Sequence, residues 1–192
     1  MGEESQIISK AIDKILPEIE DNFRANPNKY YHCEINGRDE AYFNPYHCGQ
    51  WTIFLYKLSY ELGHPPVEDH MSMNLADKVY FLNKTISSCD LYHQVEMPRH
   101  FSLDHPQGSV MGRAVYGDGF SFCQYSTVGN NKGVYPVIGS DCHMCMNSAI
   151  IGHCHIGNNV TIGAGALVKD EDIPNDSLVF GQSPNLIIKK KK

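Results

Sequence analysis

Apolar positions recur at two different periods along this chain. From Ser5 to about Ala25, Ile8, Ile12, Ile15, Ile19 and Phe23 return every three or four residues, which puts them on one face of an amphipathic helix. Ser5 stands where an N-cap is expected. Two further helices are predicted, roughly Gln50 to Leu62, ended by Gly63 and Pro65, and roughly Met73 to Asn83, with Leu75, Val79 and Leu82 on one side. The lone Trp51 and the tyrosines at 30, 31, 42, 46, 56 and 60 fall in this half, where core packing is their expected role.

Beyond Val110 the period becomes six. One position per hexad holds Tyr116, Phe122 and Val128, then, after an interruption, Ile138, Met144, Ile150, Ile156, Ile162 and Val168. Four residues further into the later hexads stand the compact Cys142, Ser148, Cys154, Val160 and Ala166, and glycine follows the large residue at Gly139, Gly157 and Gly163. A repeat of this kind fixes the architecture before any ordinary strand assignment does. A large residue filling the interior and a small one at each corner describe a parallel β-helix with three flat sides, one hexad per side. Between Val128 and Ile138 the segment GNNKGVYPV adds residues as a loop, which Pro136 stiffens. The expected division is a helical domain over 1–87, a β-helix over 88–188 and a basic tail over 189–192.

Composition narrows the function classes. The chain has 192 residues with 42% hydrophobic and 20% charged, a globular composition. The formal net charge of -6 gives no general reason to expect a nucleic-acid partner, the only basic run being Lys189 to Lys192. No apolar run of membrane-spanning length occurs, and the acidic MGEESQIISK opening does not read as a secretory signal or as a myristoylation site. Seven cysteines, an odd number scattered over the chain, suit reduced thiols in the cytoplasm.

The candidate chemistry sits where the two periods meet, at FSLDHPQGSVMG, which holds Asp104 beside His105. Together with the hexads, LDHPQGSVMGRAVYGDGFSFCQYSTVG, IGNNVTIGAGALV and DIPNDSLVFGQSP resemble the hexapeptide-repeat acyltransferases with a left-handed β-helix, and most of all the serine acetyltransferases. The resemblance covers about residues 88 to 188. It implies a mainly β fold, a left-handed parallel β-helix behind an N-terminal α-helical domain, and direct transfer of acetyl from acetyl-CoA to a hydroxyl, with no metal. The family uses the histidine of its Asp-His pair as general base, oriented by an aspartate fifteen residues earlier, and Asp90 stands fifteen residues before His105. A histidine suits that task near neutral pH, and a carboxylate on the far ring nitrogen fixes its tautomer.

By the same resemblance Asp104 helps to bind the acceptor, and CoA lies along a groove between the β-helices of a homotrimer. That maps the cofactor to Gly129, to Asn147, Ser148 and Ala149, and to Gly163, Ala164 and Gly165, where small residues let backbone groups approach a ligand. Lys189 and Lys190 are candidates for its phosphates. The chain departs from the family where an Arg-His pair holds the serine carboxylate: here Val134 and Tyr135 precede Pro136. Tyr135 suits a sugar hydroxyl or ring face better, which opens an alternative, a sugar O-acetyltransferase of surface-polysaccharide biosynthesis. The terminal lysines differ from the family tail that docks into cysteine synthase, so no such complex is expected. Two other readings stand beside these. CHMC and HCH have a zinc flavour, although Cys142 and Cys154, like His143 and His155, lie two hexads apart where stacking needs three. His100, His105 and His143 are the candidates for a histidine-held metal of a trimeric β-helix hydratase, and a non-catalytic scaffold is the remaining class.

Overall fold

The computed structural model describes residues 2–67 and 69–191. Two compact units form, one of Met1–Ser87 with Tyr92–Gln94 and one of Ser88–Leu91 with Val95–Lys192.

The first unit contains α1 (Glu3–Ala25), a hairpin of β1 (His32–Ile35) and β2 (Arg38–Ala41), α2 (Cys48–Gly63) and α3 (His70–Ser87). Each helix is longer than its apolar period predicted. α1 starts ahead of Ser5, so Gly2 takes the N-cap position without a side-chain bond, and Glu3 and Glu4 supply the negative charge that the N-terminal end favours. α1 buries Ala11, Ile15, Ile19 and Phe23. The helical reading of this half omitted the hairpin, whose turn residues Asn36 and Gly37 both take positive φ (53° and 72°), as a two-residue primed turn requires. Tyr31 and Tyr56 are buried as expected, but Tyr30, Tyr42 and Tyr46 are 59%, 43% and 95% exposed. All three flank the hairpin or the turn before α2, outside the helical stripes that form the core.

The second unit is a parallel β-solenoid of about five turns. Its first face stacks β4 (Phe101–Asp104), β7 (Phe120–Cys123), β10 (His143–Met144), β13 (Thr161–Ile162) and β15 (Ser177–Gln182). The second face stacks β3 (Asp90–Leu91), β5 (Val110–Met111), β8 (Thr127–Gly129), β11 (Ala149–Ile151) and β14 (Leu167–Lys169), and the third β6 (Val115–Tyr116), β9 (Val137–Ile138) and β12 (His155–Ile156). His143 pairs with Thr161 and Ala149 with Leu167, one turn being three hexads. All nine large residues of the hexad frame are buried, and so are its five compact partners. Tyr125, Asn147 and Gly165 share a positive φ of 58°, 58° and 70° at successive turns of the corner between the first two faces. Glycine is obligatory where turns press together: a Cβ on Gly117 would collide with the backbone of Gly139.

The interruption forms a small hairpin. Asn131 and Val134 exchange two backbone bonds of 3.0 Å across Lys132 and Gly133, which have φ of 51° and 81°. At the far end β16 (Asn185–Lys190) folds back antiparallel on β15, so Lys189 and Lys190 belong to a ladder and not to a trailing tail; Lys192 lies outside the described residues.

Candidate active site

The corner between the first two faces assembles the residues of the Asp-His motif. β4 alternates Phe101 and Leu103 inward with Ser102 and Asp104 outward, and the chain turns at once through His105, which is exposed and held at φ 51°. A non-glycine residue in that region marks a conformation that its surroundings impose. Gly108, at φ 71°, completes the turn, and its N–H donates to Ser88 O at 2.8 Å. The chain then enters β5, where Val110 lies in register with Asp90 and the Asp90 N–H donates to Ser109 O at 2.8 Å. Asp90 is half-buried on the turn below, beside the segment that leaves the histidine. Pairing of β3 with β5 therefore brings Asp90, Asp104 and His105 to one corner.

The same corner, followed up the solenoid, carries several of the cofactor candidates. Asn147, Ala164 and Gly165 are exposed there, and a side chain on Gly165 would meet open space. Ser148 is buried instead, its hydroxyl donating to Cys145 O at 2.6 Å, as its compact corner position dictates. Ala149 begins β11, with its N–H donating to Ala166 O. Gly163 is packed against Phe180, so its missing side chain serves turn-to-turn contact. Gly129 stands at the opposite end of the second face, and Lys189 lies on β16 with Nζ 5.9 Å from the Phe180 ring centre. Tyr135, 41% exposed, follows the small hairpin, which Asn131 ties to Asp170 by a 2.6 Å bond. His105 and Tyr135 thus flank the second face of one chain from opposite corners.

A further set of polar side chains lies on the first face next to Asp104. Asp104 is in register with Cys123, and Ser121 with His143. The His143 Nδ1 is 2.8 Å from Ser121 Oγ, and Nε2 is 3.9 Å from Cys123 Sγ. Burial pushes the His143 pKa down; Asp104 opposes this and Lys191 reinforces it, so the neutral imidazole is favoured. Burial raises the thiols of Cys123 and Cys145, with Asp104 adding to the effect at Cys123. The sequence reading placed His143 only among possible metal ligands. The hexad frame held the better signal, because the neighbours of an interior residue such as Met144 face outward.

Within one chain neither metal reading brings its ligand set together. Cys142 and Cys154 point inward and donate to Gly157 O and Ile151 O, whereas His153 and His155 are exposed on another side. His100 is paired with Asp118 at 2.8 Å, ahead of β4, while His143 belongs to β10. No cluster of three potential metal ligands occurs among the described residues.

A coiled stack of hexads is the architecture of the hexapeptide-repeat β-helix proteins. Residues 135–170 match the family model described as bacterial transferase hexapeptide (six repeats). Within that class the chain resembles serine acetyltransferases. It is 28% identical over 127 residues to the serine acetyltransferase of Bacillus subtilis, a match that covers 60% of this chain and 58% of the relative. The crystal structure of serine acetyltransferase from Vibrio cholerae superposes with a TM-score of 0.76 at 21% identity, covering 97% of this chain and 71% of that one. A serine acetyltransferase in complex with CoA superposes at 0.74 and 18% identity, covering 96% and 74%. Likeness at such identities shows the fold. The matched stretch spans from 17% to 58% of the length of the curated relatives.

Proposed function

We propose that this chain is an acetyl-CoA-dependent O-acetyltransferase in which His105 is the general base and Asp90 its orienting partner. The observation that carries the reading is the β3–β5 pairing, which sets Asp90 beside the turn that presents an exposed His105. The acceptor hydroxyl loses its proton to the imidazole as its oxygen attacks the thioester carbonyl. Collapse of the tetrahedral intermediate expels the CoA sulfur, which takes the proton back from the imidazolium. Asp90 stabilises that imidazolium and fixes the tautomer before it forms. No acyl-enzyme is needed, so none of the cysteines has a covalent role.

Acetyl-CoA runs along the first corner past Asn147, Ala149, Ala164 and Gly165, where small residues leave backbone groups accessible. The complex of a similar protein with CoA supports this cosubstrate. A homotrimer supplies the other wall: Tyr135 stands across the second face from His105, so a site that uses both is assembled between neighbouring chains. Gly129, at that same far end, then serves the adjoining site. Asp104 binds the acceptor, a small hydroxyl compound that is serine-like in the first reading. The second reading, a sugar, is favoured by Val134 and Tyr135 standing where the resembled family holds a carboxylate with arginine.

The test is acetyl-CoA-dependent release of free thiol. His105→Ala is expected to lower kcat by about 10²- to 10⁴-fold while the KM for acetyl-CoA stays within about twofold. Unchanged turnover in that variant removes the base assignment.

A further inference from the structure

The outward positions of the first face form a strip that the dyad chemistry does not use. Along it stand Asp104 on β4, Ser121 and Cys123 on β7, and His143 and Cys145 on β10. Each is half-buried except Asp104, which is exposed. Asp104 ends its strand immediately before the base, so one end of the strip is at the reaction centre.

We infer that this strip is the specificity surface for the acceptor, with Asp104 and His143 binding opposite sides of an uncharged polyol such as a sugar. The inference rests on the proposed acetyl transfer and names its acceptor class. Three arguments carry it. The first is charge: the strip offers one carboxylate, Asp104, and otherwise neutral donors and acceptors, a set that suits hydroxyls and gives the carboxylate of serine no cation to pair with on the strip. Asp104 and His143 stand on strands separated by β7, roughly 10 Å between backbones, so a ligand with hydroxyls on both sides of a ring can meet both.

The second argument is orientation. Ser121 Oγ sits at 2.8 Å from Nδ1 of His143, and donation from that hydroxyl leaves the proton on Nε2. In that tautomer Nε2 is the donor, 3.9 Å from Cys123 Sγ, a weak partner that a ligand hydroxyl oxygen can displace. The third is polarity. Cys123, in register with Asp104, and Cys145, two residues beyond His143, border the two groups with thiols whose pKa burial raises, a soft and weakly polar floor suited to a ring face. Lys191, whose Nζ bonds Asn159 Oδ1 at 2.9 Å, is the cation whose charge reaches His143 from the far side.

The experiment uses the full chain with methyl α-D-glucopyranoside, N-acetyl-D-glucosamine, maltose and L-serine. The first readout is the ring resonance of His143 in histidine-labelled protein, identified by its loss in His143→Gln. At least one sugar is expected to shift it, and L-serine is not. The second readout is thiol release. His143→Ala is expected to raise the KM of that sugar by about tenfold, the worth of one hydrogen bond, with kcat and the KM for acetyl-CoA within about twofold. His143→Gln, which keeps a donor, is expected to recover most of that loss, an outcome that a purely structural role does not give. An unmoved resonance with every sugar, or an unchanged sugar KM in His143→Ala, overturns the inference. A shifted resonance without turnover of any acceptor sinks the acetyl-transfer reading and leaves the sugar site standing.

Discussion

The solenoid and the helical unit build their interiors by opposite rules. In the solenoid every interior side chain meets a counterpart one turn away, as Phe122 meets Met144 and Met144 meets Ile162 across parallel ladders. In the helical unit the interior is closed by particular polar side chains that reach distant backbone. Asn83 donates to Thr52 O at 3.0 Å, Ser72 to Leu62 O at 2.8 Å, and Gln50 to Tyr30 O at 2.9 Å. Repetition makes an interior tolerant of similar residues and intolerant of voids. Non-repeating clamps make it depend on single atoms.

The largest expected effect breaks the repeating column. Phe122 is fully buried between turns, and Phe122→Ala is expected to cost about 3–5 kcal/mol in urea unfolding of the solenoid. Leu16, 49% exposed on α1, is the contrast, with Leu16→Ala expected within about 0.5 kcal/mol of the parent. A small loss at Phe122 would mean that neighbouring turns collapse into the void, and the column would be less rigid than the comparison requires.

A medium effect probes a single-atom clamp. Gly63 closes α2, and a Cβ there would collide with Nδ1 of His93, a fully buried ring whose Nε2 lies 3.0 Å from Asp77 Oδ1. Gly→Ala inside a helix ordinarily stabilises by about 0.5–1 kcal/mol. Here Gly63→Ala is expected to destabilise by about 1–3 kcal/mol, because the ring has to leave Asp77 to make room. In a His93→Ala background the same substitution is expected to become neutral or stabilising, a non-additivity that identifies the collision.

The two regions were not equally legible in the sequence. The hexad period marked the nine large interior residues from Tyr116 to Val168 because a solenoid turns sequence spacing directly into position. The period also held the outward place of His143, but attention to cysteine-histidine spacing hid it. Asp90 and His105 were singled out by the resemblance to a family that separates such a pair by fifteen residues, and the structure puts Asp90 in β3, which pairs with the strand that follows His105. In the helical unit the apolar stripes gave the helices but not their ends, because capping there depends on backbone and charge at Gly2, Glu3 and Glu4. The Asn36-Gly37 pair was a local turn signal that the helical period masked. The His93–Gly63 fit left no trace, as it joins residues that no period relates.

The smallest effect concerns the solenoid's corners, where the repeat is sealed by carboxylates in water. Asp118 accepts from both the backbone N–H and the ring of His100, each at 2.8 Å, and Asp172 does so from His155 at 2.8 and 3.1 Å. Asp170 accepts from the His153 N–H at 2.9 Å and from Asn131. At Asp118 partial burial works against ionisation, but the His100 bonds outweigh it; at Asp170 and Asp172 the backbone bonds from His153 and His155 come first. All three carboxyls are held below the ordinary aspartate value. Their unfolded forms bind protons more readily, so the stabilisation is present above the unfolded value of about 3.9 and is lost as pH falls through the folded values. Unfolding midpoints are therefore expected to drop from pH 5 to pH 3. In Asp118→Asn/Asp170→Asn/Asp172→Asn that slope is expected to flatten, while the solenoid stays folded at pH 7 because its interior column does not depend on these corners. An unaltered slope in the triple variant would move the acid sensitivity away from the corners and to the helical unit.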